Sequence, residues 1–449
     1  MKVLYIADIL KNINTEKRLP ESKILGWLKS KRHLGGIIFL EIEDSTGSVK
    51  VIVERNHIEL DGFNTILKMP RESCVEILFK MRKVKDTLQK ELIARKIKII
   101  SEATLHVDPY PRDNFTDIFN EKHSEKQIDS LLKRRHLFLR NPKLKAVIKI
   151  KAILLEAIRK YLKANKFLEI DTPILTQATL YRDSNTFEVD YFGTKTYLSQ
   201  CAGLYLEAAL PAFEKVYTIT PAFRSELSKS PRHNPEFWHA KAQLAFCNYE
   251  EMMKFVENML YNIAKHISKK AKTELKILEV VIDLEKLRPP YPKISYTEAL
   301  NFLNKKGLNL KWGTSLNEKA EKVISHRFDK PVYVTGMPRA VEPFPYLVDD
   351  LNPRSTKTAD LIATDGYGEI LGIAEFIYKP DELIKRLKEC GKFSEIKRFE
   401  WYLELKQYGS VPHSGFGMGV ERVLRWLLKL PHVRDTFPFP RLYHRKPYP

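Results

Sequence analysis

The chain is short of cysteine, of acidic residues relative to basic ones, and of long apolar runs. Its four cysteines (Cys74, Cys201, Cys247 and Cys390) stand far apart in 449 residues. No CxxC or Cys/His spacing suggests zinc, and no disulfide framework emerges; such usage fits a reducing cytoplasm. No stretch of about 18 apolar residues exists, so no transmembrane helix is expected. The opening MKVLYIADIL is too short and too mixed for a signal peptide, and Asp8 interrupts it. A GxGxxG dinucleotide fingerprint and a Walker loop are both missing. Neither an internal repeat nor a low-complexity segment is present.

Base, by contrast, is abundant. Lys and Arg number 76 against 56 Asp and Glu, a formal charge of +20. That balance favours a polyanionic partner, nucleic acid being the commonest, although a Lys-rich composition without a ligand stays open. A hydrophobic content of 43% argues for a folded chain, and the length allows two or three domains.

Residues 23–55 read as strands: IIFLEIE and VKVIV are rich in β-formers, and DSTGS between them is a hairpin signal. CVEILFKMRKV and ELIARKIKII continue the pattern to about Ser101. Five or so short strands in about 100 residues suggest a small barrel, an OB-fold above all, with a generic β-sandwich as the other reading. HVDPYPRDNFTD then breaks the pattern as a hinge. The next segment is helical, with Val147, Ile150, Leu154, Ile158 and Leu162 keeping one face apolar. FLEIDTPILTQ follows as a strand ending near Pro173. Beyond it, strands and helices mix without βαβ rhythm, which points to an α+β domain with an antiparallel sheet. The expected divisions are an OB-fold domain over 1–105, a hinge over 106–138 and a catalytic domain over 139–449.

Three blocks then converge. A long helix leads into EIDTP. FRSELSKSPRHNPEF (residues 223–237) carries Phe-Arg-x-Glu, a loop, and Arg-His. GFGMGVERVLRWLL (415–428) alternates glycine along a strand and runs into a helix with Arg422. In this order they resemble motifs 1, 2 and 3 of class II aminoacyl-tRNA synthetases. With the N-terminal barrel, the chain resembles the Asp/Asn/Lys subclass over nearly its whole length, and YGSVPH is especially close to the asparaginyl group.

The resemblance implies a ligase that activates an amino acid with ATP and passes it to tRNA, as a cytoplasmic homodimer built on motif 1. It implies a role for each matching residue. Arg224 would hold the α-phosphate and the substrate carboxylate, as Arg is suited to bidentate contact. Glu226 would accept from the adenine amino group, and Arg232 and His233 would meet the outer phosphates. Phe237 would stack on adenine, with Arg422 covering its other face and reaching the γ-phosphate. Gly415, Gly417 and Gly419, on one strand face, would leave room for the ring, or serve close backbone packing. Glu369 would bind Mg²⁺ with Asp360 as helper, unless Asp360 is a surface acid. In the barrel, Phe39 would stack on a base, or belong to the core, and Arg32 would contact a base or phosphate.

Departures from the family pattern cluster. Tyr181 stands at the loop Glu, with Arg182 and Asp183 at its glycines. Gly203 replaces a Gln in CAGLY. Lys241 and Gln243 replace carboxylates after motif 2. Ile373, Ala374 and Phe376 replace a Gly-Gly-Ser and its following Arg. Glu342 replaces a Lys, and Lys50 replaces a base-reading Gln. The family's Glu and Gln serve the amino acid's ammonium group, which is poorly satisfied when buried without them. The nucleotide half is therefore expected to be intact and the amino-acid half rebuilt. Two other readings stay open: a paralogue that adenylates or amidates a different carboxylic acid, and a non-catalytic RNA-binding paralogue.

Overall fold

The computed structural model describes residues 2–13, 15, 20–58, 60–84, 89–104, 118–120, 122–181 and 183–448. The expected hinge segment 106–117 and Arg182 lie outside the described residues. The chain divides into two compact units, Met1–Thr116 and Asp117–Pro449.

In the first unit, β1 (Ser22–Leu34), β2 (Ile37–Glu43), β3 (Ser48–Glu54), β4 (Cys74–Lys83) and β5 (Lys90–Ser101) close into a barrel of order β1-β2-β3-β5-β4. Alternation drives closure: Ile38, Leu40 and Ile42 point inward with Val49, Val51 and Val53, and all are buried. The β2–β3 turn forms at DSTGS because the Asp44 carboxylate accepts from the Thr46 and Gly47 amides at 2.6 and 3.1 Å. A helix, Leu60–Lys68, lies between β3 and β4, an element the strand pattern did not foresee.

The second unit begins with helical segments and the 23-residue helix Pro142–Ala164. Asn141 caps it, accepting from the Lys143 and Leu144 amides, and Pro142 occupies its first turn. Its apolar face buries Val147, Ile150, Leu154, Ile158 and Leu162, the periodic positions of the sequence. The strand expected after it is shorter than the pattern suggested. Only Leu168–Glu169 (β6) and Leu175–Thr176 (β7) are extended and paired, on either side of Pro173, whose nitrogen cannot donate to a ladder.

β7 joins β8 (Glu188–Tyr191) and β9 (Thr194–Leu198) in a small sheet. The main sheet uses β6, β10 (Lys215–Phe223), β11 (Glu236–Ala245), β12 (Lys293–Ser295), β13 (Val332–Thr335), β14 (Thr358–Ala363), β15 (Gly368–Phe376) and β16 (His413–Gly419). Their order is β12-β13-β14-β15-β16-β11-β10-β6. All neighbours are antiparallel except the outermost pairs β12–β13 and β6–β10.

One buried bolt ties the three motifs together. Lys151 of the long helix donates to Glu421 Oε1 at 2.5 Å, and the other Glu421 oxygen accepts from the Trp238 amide of β11 at 3.0 Å. A carboxylate at the start of the helix Val420–Leu427 thus fixes motif 3 to motifs 1 and 2.

Candidate active site

A cleft of about 280 Å³ opens over the centre of the main sheet. Motif 2 supplies one wall. β10 and β11 form a hairpin in register Phe223↔Glu236, so its loop carries Glu226, Arg232 and His233 into the cleft together with Arg224 and Phe237. The Arg224 guanidinium lies 4.9 Å from the Tyr181 ring centre and 5.7 Å from that of Phe237. Its Nε is buried without a hydrogen-bond partner, a donor left for an incoming acceptor.

Motif 3 and β15 supply the floor. Arg422 Nη1 donates to the Glu369 carbonyl at 3.1 Å and to its carboxylate at 3.2 Å. Arg232 pairs with the buried Glu321, whose Oε2 also accepts from the Glu369 amide at 2.8 Å. Glu321 is a site residue that the sequence reading missed, since the contact spans 89 positions. Gly368 makes this arrangement possible. Its φ is +78°, and an added Cβ would stand 2.7 Å from Glu321 Oε2.

The sequence-expected nucleotide residues Arg224, Glu226, Arg232, His233, Phe237, Glu369, Gly417, Gly419 and Arg422 all line this one cleft, and Asp360 does too. An added Cβ on Gly415 would meet the Ala242 carbonyl and Gln243, and one on Gly417 would meet His239, so close packing requires glycine at both, while Gly417 and Gly419 also line the cleft. His239, another residue the sequence reading missed, is held neutral by burial and then by Lys241, Arg224 and Arg422. His233 behaves alike: burial, then Arg422, Arg232 and Arg224, lower it to about 3.

The carboxylates split in the opposite sense. Burial raises Glu369, but Arg422, Arg232 and Arg224 outweigh it, leaving a carboxylate below its ordinary range. Asp360 is pushed well up by burial and by the like charges of Glu369, Glu342 and Glu321. Among the described residues, no group of three or more His, Cys, Asp or Glu is placed to hold a metal by itself.

The departures from the family pattern also gather here. Tyr181, Lys241, Glu342 and Ile373 line the cleft. Lys241 is buried, and its Nζ lies 3.0 Å from Cys201 Sγ. Gln243, fully buried, turns away and donates to the Gly203 carbonyl at 3.2 Å. Phe376 is buried and stacks on His413 at 5.0 Å. Asp183 pairs with Arg398 at 2.6 Å.

On the barrel, Arg32 and Phe39 are direct cross-strand partners on β1 and β2, and Lys50 on β3 faces Glu41, two positions beyond Phe39. Arg32 and Lys50 are exposed and Phe39 is half-buried, so the outward face of β1–β3 carries all three.

Comparison with known proteins matches this anatomy. Residues 127–443 match the family of class II tRNA synthetases (D, K and N), and residues 23–100 match the OB-fold nucleic acid binding domain. The chain is a class II tRNA synthetase of the D, K and N family. An asparagine–tRNA ligase of Pyrococcus abyssi is 37% identical over 423 residues, covering 93% of this chain and 94% of its own. That of Thermoplasma acidophilum is 34% identical over 94% of this chain and 95% of its own. The crystal structure of asparaginyl-tRNA synthetase from Pyrococcus horikoshii complexed with asparaginyl-adenylate superposes with a TM-score of 0.87 at 34% identity, over 97% of this chain and all of that one. As a class II synthetase the chain thus joins an OB-fold barrel to an antiparallel-dominated catalytic sheet, as expected from sequence. Among the described residues, no helix is long and apolar enough to cross a membrane.

Proposed function

We propose that this aminoacyl-tRNA synthetase activates its amino acid with ATP and transfers the aminoacyl group to tRNA through the motif 2 and motif 3 arginines of the cleft. A carboxylate oxygen of the acid attacks the α-phosphorus, a new P–O bond forms, and the bond to the bridging oxygen breaks as pyrophosphate leaves. A ribose hydroxyl of the tRNA end then attacks the carbonyl, the bond to the phosphate oxygen breaks, AMP departs and the hydroxyl proton is released.

The observation that carries this reading is the meeting of Arg224, Arg232 and Arg422 in one cleft with Glu369 between them. Two anions must approach each other in the first step, and preorganised guanidinium groups offset that repulsion in a partly dry site. Arg224 is placed to hold the acid and the α-phosphate together, with its free Nε as one donor. Glu226 orients adenine and Phe237 offers a ring face. Neutral His233 serves as a hydrogen-bonding group for the outer phosphates. Arg422 would exchange its contact with Glu369 for phosphate.

The residues also fit Mg²⁺. Asp360 and Glu369 bring mutually repelling carboxylates to the cleft, and Mg²⁺ usually takes one or two such groups plus phosphate oxygens. When bound, it offsets charge on the polyphosphate. The exposed face of Arg32, Phe39 and Lys50 is proposed to contact tRNA, the motif 1 segment to form a homodimer, and the cytoplasm to be the compartment.

ATP–pyrophosphate exchange tests the reading. Exchange that requires a carboxylic acid, and its loss in Arg224→Ala, is the expected result. Exchange that survives at the wild-type rate in that variant sinks the assignment. Which amino acid is activated does not follow from the reaction class, because Tyr181 and Gly203 stand where the family pattern's Glu and Gln serve the ammonium group, and Lys241 and Gln243 stand where it has carboxylates.

A further inference from the structure

We infer that Cys201 and Lys241 form a redox-sensitive pair beside the cleft, which a hydroperoxide converts into a sulfur–nitrogen cross-link that silences the site. The cross-link stands on the geometry of the two side chains; only the silencing rests on the ligase reading above.

Lys241 lies on β11, lines the cleft and is only 5% exposed. Its Nζ donates to Cys201 Sγ at 3.0 Å, and among the described residues it makes no other hydrogen bond and no ion pair. The same sulfur accepts from the Gly203 amide at 3.3 Å, in the first turn of the helix Gly203–Phe213. An ammonium group and a helix N-terminal amide are the surroundings in which a cysteine becomes nucleophilic. Gly203 permits the approach, since a Cβ there would stand 2.9 Å from Nζ and 3.4 Å from Sγ. Cys201 is also partly exposed, so a small oxidant can reach it. Other cysteines are placed differently. Cys247 is buried, its thiol donates to the Asn248 carbonyl at 3.3 Å, and burial raises its pKa. Cys390 caps the C-terminus of the helix Pro380–Glu389, where the dipole disfavours an anion.

The reaction balances in two steps. The Cys201 sulfur attacks a peroxide oxygen and the O–O bond breaks. Sulfur is oxidised, the peroxide is reduced, and a sulfenic acid and water remain. The Lys241 amine, having released one proton to solvent, then attacks that sulfur. The S–N bond forms, the S–O bond breaks, and the departing hydroxide takes a second nitrogen proton and leaves as water. Electrostatics favour this order. Burial works against the Lys241 charge, but Cys201, Tyr181 and then Glu207 outweigh it and hold the amine protonated. Oxidation of the sulfur withdraws the first of those supports, and burial then favours the neutral amine with its free lone pair. A dithiol reverses the cross-link, restoring thiol and amine as it becomes a disulfide.

The sulfenamide carries no charge and holds Lys241 against Cys201. Tyr181 neighbours both groups and carries the Arg224 guanidinium 4.9 Å from its ring centre. The cross-link therefore removes a cation from the cleft next to the arginine on which the first step depends.

The test treats the intact protein with graded hydrogen peroxide, quenches with catalase, digests without reductant and measures peptide masses. The expected result is a Cys201–Lys241 peptide pair two hydrogens lighter than the sum of its parts, formed before Cys74 or Cys390 is oxidised and removed by dithiothreitol. ATP–pyrophosphate exchange should be lost in proportion to the cross-linked fraction and return with dithiothreitol. In Lys241→Met, Cys201 should instead run on to sulfinic acid, which dithiothreitol does not reduce. If that variant fails to fold, the wild-type masses decide alone. No cross-link in the wild type, whether Cys201 stays a thiol or goes straight to sulfinic acid, overturns the inference. A complete cross-link that leaves exchange unchanged overturns the silencing. If exchange is absent before any oxidation, the ligase reading falls and the silencing with it, while the masses still judge the cross-link.

Discussion

Gly203 and Lys241 are complementary: a β-carbon on the first would lie 2.9 Å from the amine of the second. The two positions are 38 apart in sequence, on the helix Gly203–Phe213 and on β11. Gly203→Gln in the wild-type background is expected to lower stability by roughly 1–3 kcal/mol through overpacking. Lys241→Ala should recover part of that loss in the double variant, since touching residues couple. Denaturant titration of the four proteins reads the coupling; strict additivity would show that the two side chains do not share the space.

Behind the cleft, Glu207 is buried with Lys406 at 2.6 Å and accepts from the Tyr402 hydroxyl at 2.7 Å. Burial pushes its carboxyl up, but Lys406 and His413 bring it down to about 2 from an ordinary 4.5. A depressed pKa means the stabilisation is fully present above pH 4.5 and is lost as pH falls towards 2. Glu207→Gln should flatten the acid limb of the stability profile across that window. Lys406→Met, which strands a buried carboxylate, should cost about 3–5 kcal/mol at neutral pH. A Lys406→Met protein as stable as wild type would refute the pairing.

Gly368 combines a positive φ with close approach to Glu321 and Arg232. Gly368→Ala is expected to cost about 1–3 kcal/mol in backbone strain. It should also raise the KM for ATP more than it lowers kcat, because Arg232 loses its anchor. Steady-state exchange kinetics, with a thermal melt as control, separates the two effects. An unchanged KM would remove Arg232 from nucleotide binding.

The barrel face makes a claim about salt. If Arg32 and Lys50 neutralise phosphates, tRNA affinity should fall linearly on a log–log plot against salt, and each charge removed should reduce the slope by about 1. Phe39→Ala should weaken binding by about 1–3 kcal/mol if the ring stacks on a base. Filter binding at several salt concentrations gives both numbers, and an affinity indifferent to all three substitutions would take this face out of the RNA interface.

Leu168, Ile174 and Leu175 are exposed large apolar residues flanking the short strands that follow the motif 1 helix. Exposed apolar surface of this kind marks an interaction face. Sedimentation velocity should find a dimer, and Leu168→Glu with Leu175→Glu should shift it towards monomer. A wild-type monomer at micromolar concentration would contradict the proposal.

Much of the fold was legible because local chemistry and burial agree. The 3.6-residue spacing of Val147, Ile150, Leu154, Ile158 and Leu162 became the buried face of one helix, and the Asp44 turn closed the hairpin it announced. The motif 2 residues were legible because a hairpin is a local structure whose loop length sets its register. The helix Leu60–Lys68 was not, lying between strands whose alternation drew attention elsewhere. Glu321 escaped for a different reason: one of two acids on the short helix Glu318–Ser325, it carries no local sign of the arginine 89 positions away.

The sequence by itself determined the order of motifs, the barrel, the arginines that meet in the cleft, and the positions at which the chain departs from its family pattern. Period and motif are properties of neighbours along the chain, so they survive without coordinates. Only the tertiary structure decided what those departures do. It showed that Gln243 turns to a backbone carbonyl, that Phe376 withdraws onto His413, and that Lys241 alone of the two altered β11 residues faces the cleft, in space that Gly203 leaves open. Which of two side chains two apart on β11 confronts a substrate depends on what packs against each of them, and that packing comes from a helix and strands distant in sequence.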